Sequence, residues 1–378
     1  MTRQAFIGAA LLAGGQWHQD HALLVSDGRV EAIVPEADIP ASARVHALNG
    51  GALLPGFIDT QVNGGGGILF NDEPTIEGIA AIASAHRAFG TTALLPTLIS
   101  DDLSVVDRAI AAVDSAIEAG VPGIIGIHVE GPFLNPDKHG IHDAGKFRTL
   151  DAEAIALLGS ARHGRTLVTL APECAPPGAI AALVARGVVV AAGHSLASYE
   201  DMARAAAEGL TGVTHLFNAM SQLGSRAPGL VGAAIDLGLV SGLIVDGHHV
   251  HPATLRAAFR AKGAAELMLV TDAMPSVSDL RPGFRLGETW ISVENGVLRG
   301  PDGTLAGSNL DMARAVRNAV EMLDVDLPTA SRMASATPAA FLSLSATHGD
   351  LLPGMRADMV HLDAELQPRG AWIGGEPG

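Results

Sequence analysis

The sequence predicts an α/β fold: a (β/α)8 TIM-like barrel joined to a small β-sandwich domain formed by both chain termini. Three observations predict it. Eight apolar, strand-like runs begin near Leu53, Thr92, Ile124, Leu167, Val188, Gly212, Gly242 and Glu266, with helix-like stretches between most of them. Both ends of the chain are β-rich, whereas the middle alternates. A length of 378 residues suffices for a large barrel plus an accessory domain.

Residues 5–15 are apolar after Arg3 and resemble the core of a signal peptide, but no convincing small-residue cleavage site follows, so a first strand is the better reading. Residues 22–34 are two β-type runs joined at Asp27-Gly28, a hairpin signal. Residues 357–362 read as one more strand. The expected division is therefore residues 1–53 plus 347–378 for the small domain and 54–346 for the barrel. Within the barrel, Ile76, Ile79, Ile82 and Ala83 recur at helical spacing over 75–89. Ser198 followed by Asp201 opens another helix as a capping box, with Asp replacing the usual Glu. Residues 283–305 break the alternation: Trp290-Ile291-Ser292-Val293 lies between turn signals and reads as an inserted hairpin, a candidate lid. The competing fold, an open doubly wound sheet, wants G-x-G-x-x-G after its first strand. Gly64 to Gly67 lack that spacing and the helix that should follow.

Composition excludes several function classes. Forty acidic against 24 basic side chains give a net charge of −16, which repels phosphate backbones and argues against nucleic acid. A small anionic substrate would need a local basic site, and the chain has only three lysines: Lys138, Lys146 and Lys262. No apolar run is long enough to span a bilayer. A single cysteine, Cys174, rules out an intrachain disulfide and fits a cytoplasmic setting.

The polar residues that end the apolar runs carry the chemistry. Parallel barrel strands bring their C-terminal ends to one rim, so residues far apart in sequence converge there. Glu130, His194 and His215 end the third, fifth and sixth runs. One carboxylate and two imidazoles suit Zn2+, with Fe2+ as the alternative, and leave positions open for water. Asp272 ends the eighth run and is the natural general acid/base. His128, two residues before Glu130, shares its strand face and is expected inside the barrel. Asp59 is expected to support the strand-one turn or a ligand, and His248 and His251 are expected on the rim. Any one of these residues alone is more often structural than catalytic. Four such groups on four strand ends of one barrel are hard to explain that way.

Longer motifs then carry a resemblance: PGFIDTQVNGGGG at 55–67, HVEGPFLN at 128–135, KHGIH at 138–142, GHS at 193–195, THLFNAM at 214–220, DGHHV at 246–250, TDA at 271–273 and LAGS at 305–308. Together they resemble the amidohydrolase superfamily and, within it, the N-acetylglucosamine-6-phosphate deacetylase family. The resemblance implies hydrolysis of an N-acetyl group from an amino-sugar 6-phosphate, a divalent metal ion in the site of each subunit and a homodimer. It implies that Glu130, His194 and His215 bind metal, that Asp272 is the acid/base, and that His142 contacts substrate and polarises the acetyl carbonyl. Asn218, the backbone of Ala219, His249 and Arg226 would contact the sugar phosphate, Arg226 from the neighbouring subunit.

One departure from the wider superfamily matters. Where many members have His-x-His on strand one, this chain has Gln61 and Asn63, and its fourth strand, 166–173, has no Lys. Neutral amides are poor metal ligands, so a single metal is expected, with Gln61 free to hydrogen-bond a water on it. Gly64 to Gly67 either cradle phosphate through backbone N–H groups or serve tight packing. The same chemistry on the galacto epimer, a ring-opening cyclic amidase and a ligand-less structural protein are the rival functions.

Overall fold

Two short sheets made from both ends of the chain form the small domain of this computed structural model, which describes residues 3–377. The apolar N-terminal run becomes strands Gln4–Ile7 and Ala10–Ala13. His21–Ser26 and Arg29–Pro35 form the expected hairpin, and its turn residues Asp27 and Gly28 take φ of 53° and 74°, the left-handed pair that a two-residue hairpin turn requires. These strands, with Gln4–Ile7 and Arg44–Ala47, make a four-stranded sheet. A six-stranded sheet faces it. There Met359–Leu362, from the far end of the chain, pairs antiparallel with Ala52–Pro55. Phe6, Leu11, Leu23, Val25, Leu53 and Met359 fill the space between the two sheets. Period-two alternation on short strands gives each sheet one apolar face, and the two faces bury each other.

The apolar run that begins near Leu53 divides at Gly56. Ala52–Pro55 stays with the small domain, and the first barrel strand is Phe57–Val62. The other seven follow as Thr91–Ile99, Gly126–Glu130, Arg165–Leu170, Val189–Ala192, Gly212–Val213, Val240–Leu243 and Leu267–Leu269, each parallel to its neighbour in chain order. Strands one and eight share no ladder and are joined by one isolated bridge, Val62 to Ala273. Helices Ile76–Arg87 and Tyr199–Ala207 lie where the periodicity places them, the second with the Ser198–Asp201 capping box formed in both directions. Ala, Val, Leu and Ile dominate the core, as a chain with 4% aromatics requires.

The inserted segment is a three-stranded antiparallel meander: Gly283–Leu286, Thr289–Glu294 and Val297–Arg299. Phe284, Ile291 and Leu298 pack with Leu69 and Met274 in a small cluster of their own, which seats the meander beside the ends of strands one and eight. No helix among the described residues is long and apolar enough to cross a membrane.

Candidate active site

Glu130 is the last residue of barrel strand three, and His194, His215 and Asp272 follow the ends of strands five, six and eight. His194, His215 and Asp272 take φ of 49°, 33° and 51°, and Ala219 takes 49°. Left-handed backbone is unfavourable for residues with a Cβ and persists only where its surroundings over-determine it. Strain is concentrated where the strand ends turn inward.

The side chains converge. His215 Nε2 lies 3.0 Å from Glu130 Oε1 and 3.0 Å from His194 Nε2, and His194 Nε2 is 3.3 Å from the same carboxylate oxygen. All three residues are buried. His194 Nδ1 donates to the Lys138 carbonyl at 2.8 Å, so in the neutral ring Nε2 carries a lone pair aimed at the cluster. A carboxylate oxygen and two imidazole nitrogens pressed together in a buried site fit a divalent cation, and no other group of this kind occurs among the described residues.

Asp272 stands beside this trio. Its Oδ1 accepts from Asn63 Nδ2 at 2.7 Å and Gln61 Nε2 at 3.1 Å. Burial, reinforced by the charge of Glu130, pushes its pKa up to about 6. The Gln61 Nε2 also donates to Glu130 Oε2 at 3.1 Å, so both amide hydrogens of Gln61 tie the two carboxylates together and only its oxygen remains for a water. Asn63 likewise serves Asp272.

His142 is buried with its ring 4.4 Å from that of His194. The Ser100 backbone N–H donates to its Nδ1 at 3.3 Å, and the Ser100 hydroxyl lies 2.8 Å from the same atom. Burial holds the imidazole pKa down, to about 3. A neutral ring that accepts at Nδ1 carries its proton on Nε2, which makes it a hydrogen-bond donor. Ser100 was not singled out by the sequence motifs; its one signal is that it directly follows strand two, on the same rim as the other site residues.

Asn63, Glu130, His142, His194, His215 and Asp272 line one cavity of about 360 Å3, together with Lys138, Asn218, Ala219, His249 and residues Thr304, Leu305 and Gly307 that follow the meander. His249 Nδ1 is 2.6 Å from Asp246 Oδ2, and Asp246 Oδ1 accepts the N–H groups of His248 and His249. Desolvation opposes ionisation of Asp246, but the bonds and charge of His249 outweigh it and hold its pKa down to about 2. Arg226 is exposed on a loop and does not line the cavity of its own chain. His128 lies inside the barrel, hydrogen-bonded to Thr97 and Thr169. His248 is exposed on the rim, and exposed His251 caps helix Pro252–Lys262. The phosphate-cradle reading of Gly64 to Gly67 is corrected. Gly64, Gly66 and Gly67 donate their N–H groups to the carbonyls of Ala273, Val277 and Pro275, so the loop is spent on tight packing.

A family model described as "Amidohydrolase family" matches residues 52–377. The chain belongs to the amidohydrolase family. It is therefore a hydrolase whose barrel rim holds a carboxylate–imidazole cluster able to bind metal. Its relatives narrow the class. N-acetylgalactosamine-6-phosphate deacetylase of Shewanella sp. (strain ANA-3) is 44% identical over 372 residues, 98% of this chain and 94% of the relative. N-acetylglucosamine-6-phosphate deacetylase of Bos taurus is 36% identical over 98% of this chain and 94% of its own. The crystal structure of N-acetylglucosamine-6-phosphate deacetylase from Pasteurella multocida superposes with a TM-score of 0.97 at 30% identity, covering 100% of this chain and 99% of that one.

Proposed function

We propose that this amidohydrolase removes acetate from N-acetyl-D-glucosamine 6-phosphate, leaving the free amino-sugar phosphate. The observation that carries the reading is Asp272, a carboxylate of raised pKa beside a Glu–His–His cluster in a cavity with few other charges. Glu130, His194 and His215 would hold one divalent ion, Zn2+ by ligand type with Fe2+ as the alternative; such an ion acidifies water and polarises a carbonyl. Asp272 accepts the proton of the attacking water and returns it to the departing amine. His142, with its proton on Nε2, donates to the carbonyl oxygen as negative charge develops there. The bonds of Gln61 and Asn63 fix Asp272 in place.

Asn218, the Ala219 backbone and His249 are proposed to bind the sugar phosphate. Arg226 is proposed to complete that site in the neighbouring subunit of a homodimer, because its planar, permanent charge suits phosphate and it does not line the cavity of its own chain. Exposed Leu223 on the same loop supports a subunit contact there. The proposed compartment is the cytoplasm. A second reading, with the galacto epimer preferred, rests on identity: 44% to a relative named for the galacto sugar against 36% to one named for the gluco sugar.

The test is acetate release from both sugar phosphates and from their phosphate-free forms. The gluco reading expects the highest kcat/KM on the glucosamine phosphate, and the reverse order selects the second reading. Equal rates with and without phosphate would remove the role given to Arg226, and no acetate from any of the four refutes deacetylation.

A further inference from the structure

The barrel seam carries a buried acid that the chemistry above does not use. Strands one and eight share no ladder, only the isolated bridge between Val62 and Ala273 past their ends, and near this seam sits Asp59, buried. Its carboxylate accepts three hydrogen bonds: from Thr271 Oγ1 at 2.5 Å, from the Thr271 N–H at 3.3 Å and from the Gln61 N–H at 3.2 Å. Burial pushes its pKa up to about 7. Burying an acid without a counter-charge is costly, and packing alone would be served better by an apolar side chain.

We propose that Asp59 is a positioning residue for Asp272, fastening strand eight to strand one so that the Asp272 carboxylate is held beside the metal-binding cluster. The backbone connections lead there from both sides. Thr271 precedes Asp272 in sequence; Asp59 holds its N–H and hydroxyl, while its carbonyl accepts from Ser308 Oγ at 2.5 Å. On the other side, the Asp272 N–H donates to the Gln61 carbonyl at 3.0 Å, and the N–H of Gln61 is the third donor to Asp59. The side-chain amide of Gln61 then bonds Asp272 itself. The left-handed backbone of Asp272 is thus over-determined by contacts that start from one carboxylate. One carboxylate oxygen accepts the two N–H groups and the other the hydroxyl; an amide would turn its NH2 toward one of these donors. Where the ladder is missing, this clasp does the work that strand pairing does elsewhere around the barrel.

The kinetic arm of the test rests on the proposed deacetylation; the amide-exchange arm does not. Metal-loaded Asp59→Asn, Thr271→Val and Thr271→Ser are compared with wild type for bound metal, kcat and KM of acetate release, and hydrogen exchange at the amides of residues 271–273. Asp59→Asn and Thr271→Val should lower kcat by roughly 10²-fold, the scale of a displaced catalytic group, with KM and metal content unchanged and exchange at those amides faster. Thr271→Ser keeps the hydroxyl and should recover most of kcat and of the protection. Should Asp59→Asn fail to fold, the Val/Ser pair at Thr271 carries the test. A wild type that releases no acetate would refute deacetylation, and exchange would still judge the clasp. Wild-type exchange or wild-type kcat in Asp59→Asn, kcat lost only in step with metal, or a Thr271→Ser variant as impaired as Thr271→Val would overturn the proposal.

Discussion

Replacing Asp272 by Asn in the metal-free protein should make it more stable at neutral pH while removing its activity when metal is restored. Asp272 is buried near Glu130, and its pKa rises from 3.8 to about 6. Two pKa units correspond to about 3 kcal/mol, the amount by which the ionised group disfavours the folded state above pH 6. The sign follows from proton affinity. The folded chain holds this proton more tightly than the unfolded chain, so acidification from pH 6 towards 4 relieves the penalty in wild type. Asn has nearly the same shape, keeps an oxygen for Gln61 and Asn63, and carries no charge at any pH. The variant should therefore exceed wild type by about 3 kcal/mol above pH 6. The gap should narrow between pH 6 and 4 and vanish below about 4. Urea unfolding of chelator-treated wild type and variant, paired at each pH, measures it. With metal restored, the variant should bind the ion normally and lose roughly 10²–10⁴-fold in kcat, the range for a general acid/base. A variant no more stable than wild type at pH 7.5, or a gap that widens on acidification, would refute the electrostatic argument. Near-normal turnover would refute the assignment of Asp272.

Three further outcomes are expected. Ser100→Ala removes the hydroxyl 2.8 Å from His142 Nδ1; kcat should fall about tenfold, as for one lost hydrogen bond of about 1.4 kcal/mol, with metal content unchanged by elemental analysis. Asp246→Asn removes the anchor of His249, so KM for a sugar phosphate should rise while KM for the phosphate-free sugar stays constant. The pKa of Asp246 is depressed from 3.8 to about 2, so its contribution to stability is present above pH 4 and lost as pH falls through 2. The variant should accordingly be about 2 kcal/mol less stable at pH 7, with the deficit disappearing in strong acid. Arg226→Ala should raise KM for the phosphorylated sugar alone, and mixing it with Asp272→Asn should restore part of the activity if subunits exchange; an inert mixture after proven exchange would place the phosphate cation elsewhere.

Much of the architecture was legible in the chain because its signals are local. Hydrophobic periodicity depends on neighbouring residues, so the eight barrel runs, the hairpin at Asp27-Gly28 and the capping box at Ser198 could be read directly. The rim residues were legible for a related reason: a parallel barrel converts "polar residue ending an apolar run" into a position on one face, and that rule singled out Glu130, His194, His215 and Asp272. Gly64 to Gly67 show where this kind of reading ends. A run of glycines announces free backbone and close approach, but the partners of the Gly64, Gly66 and Gly67 N–H groups lie more than 200 residues away.

The order of strands, the residue types at their ends and the absence of His-x-His on strand one were thus determined by the sequence alone. Only the tertiary structure decided which nitrogen of His194 faces the cluster and which nitrogen of His142 carries its proton, because the tautomer is set by the second hydrogen bond: the Lys138 carbonyl for His194, and Ser100 for His142. It also decided that the two amides of strand one hold Asp272, and that Asp59 closes the seam beneath it. Hydrogen-bond partners across a barrel are fixed by angstrom-scale approach between distant segments, and no periodicity along the chain encodes that distance.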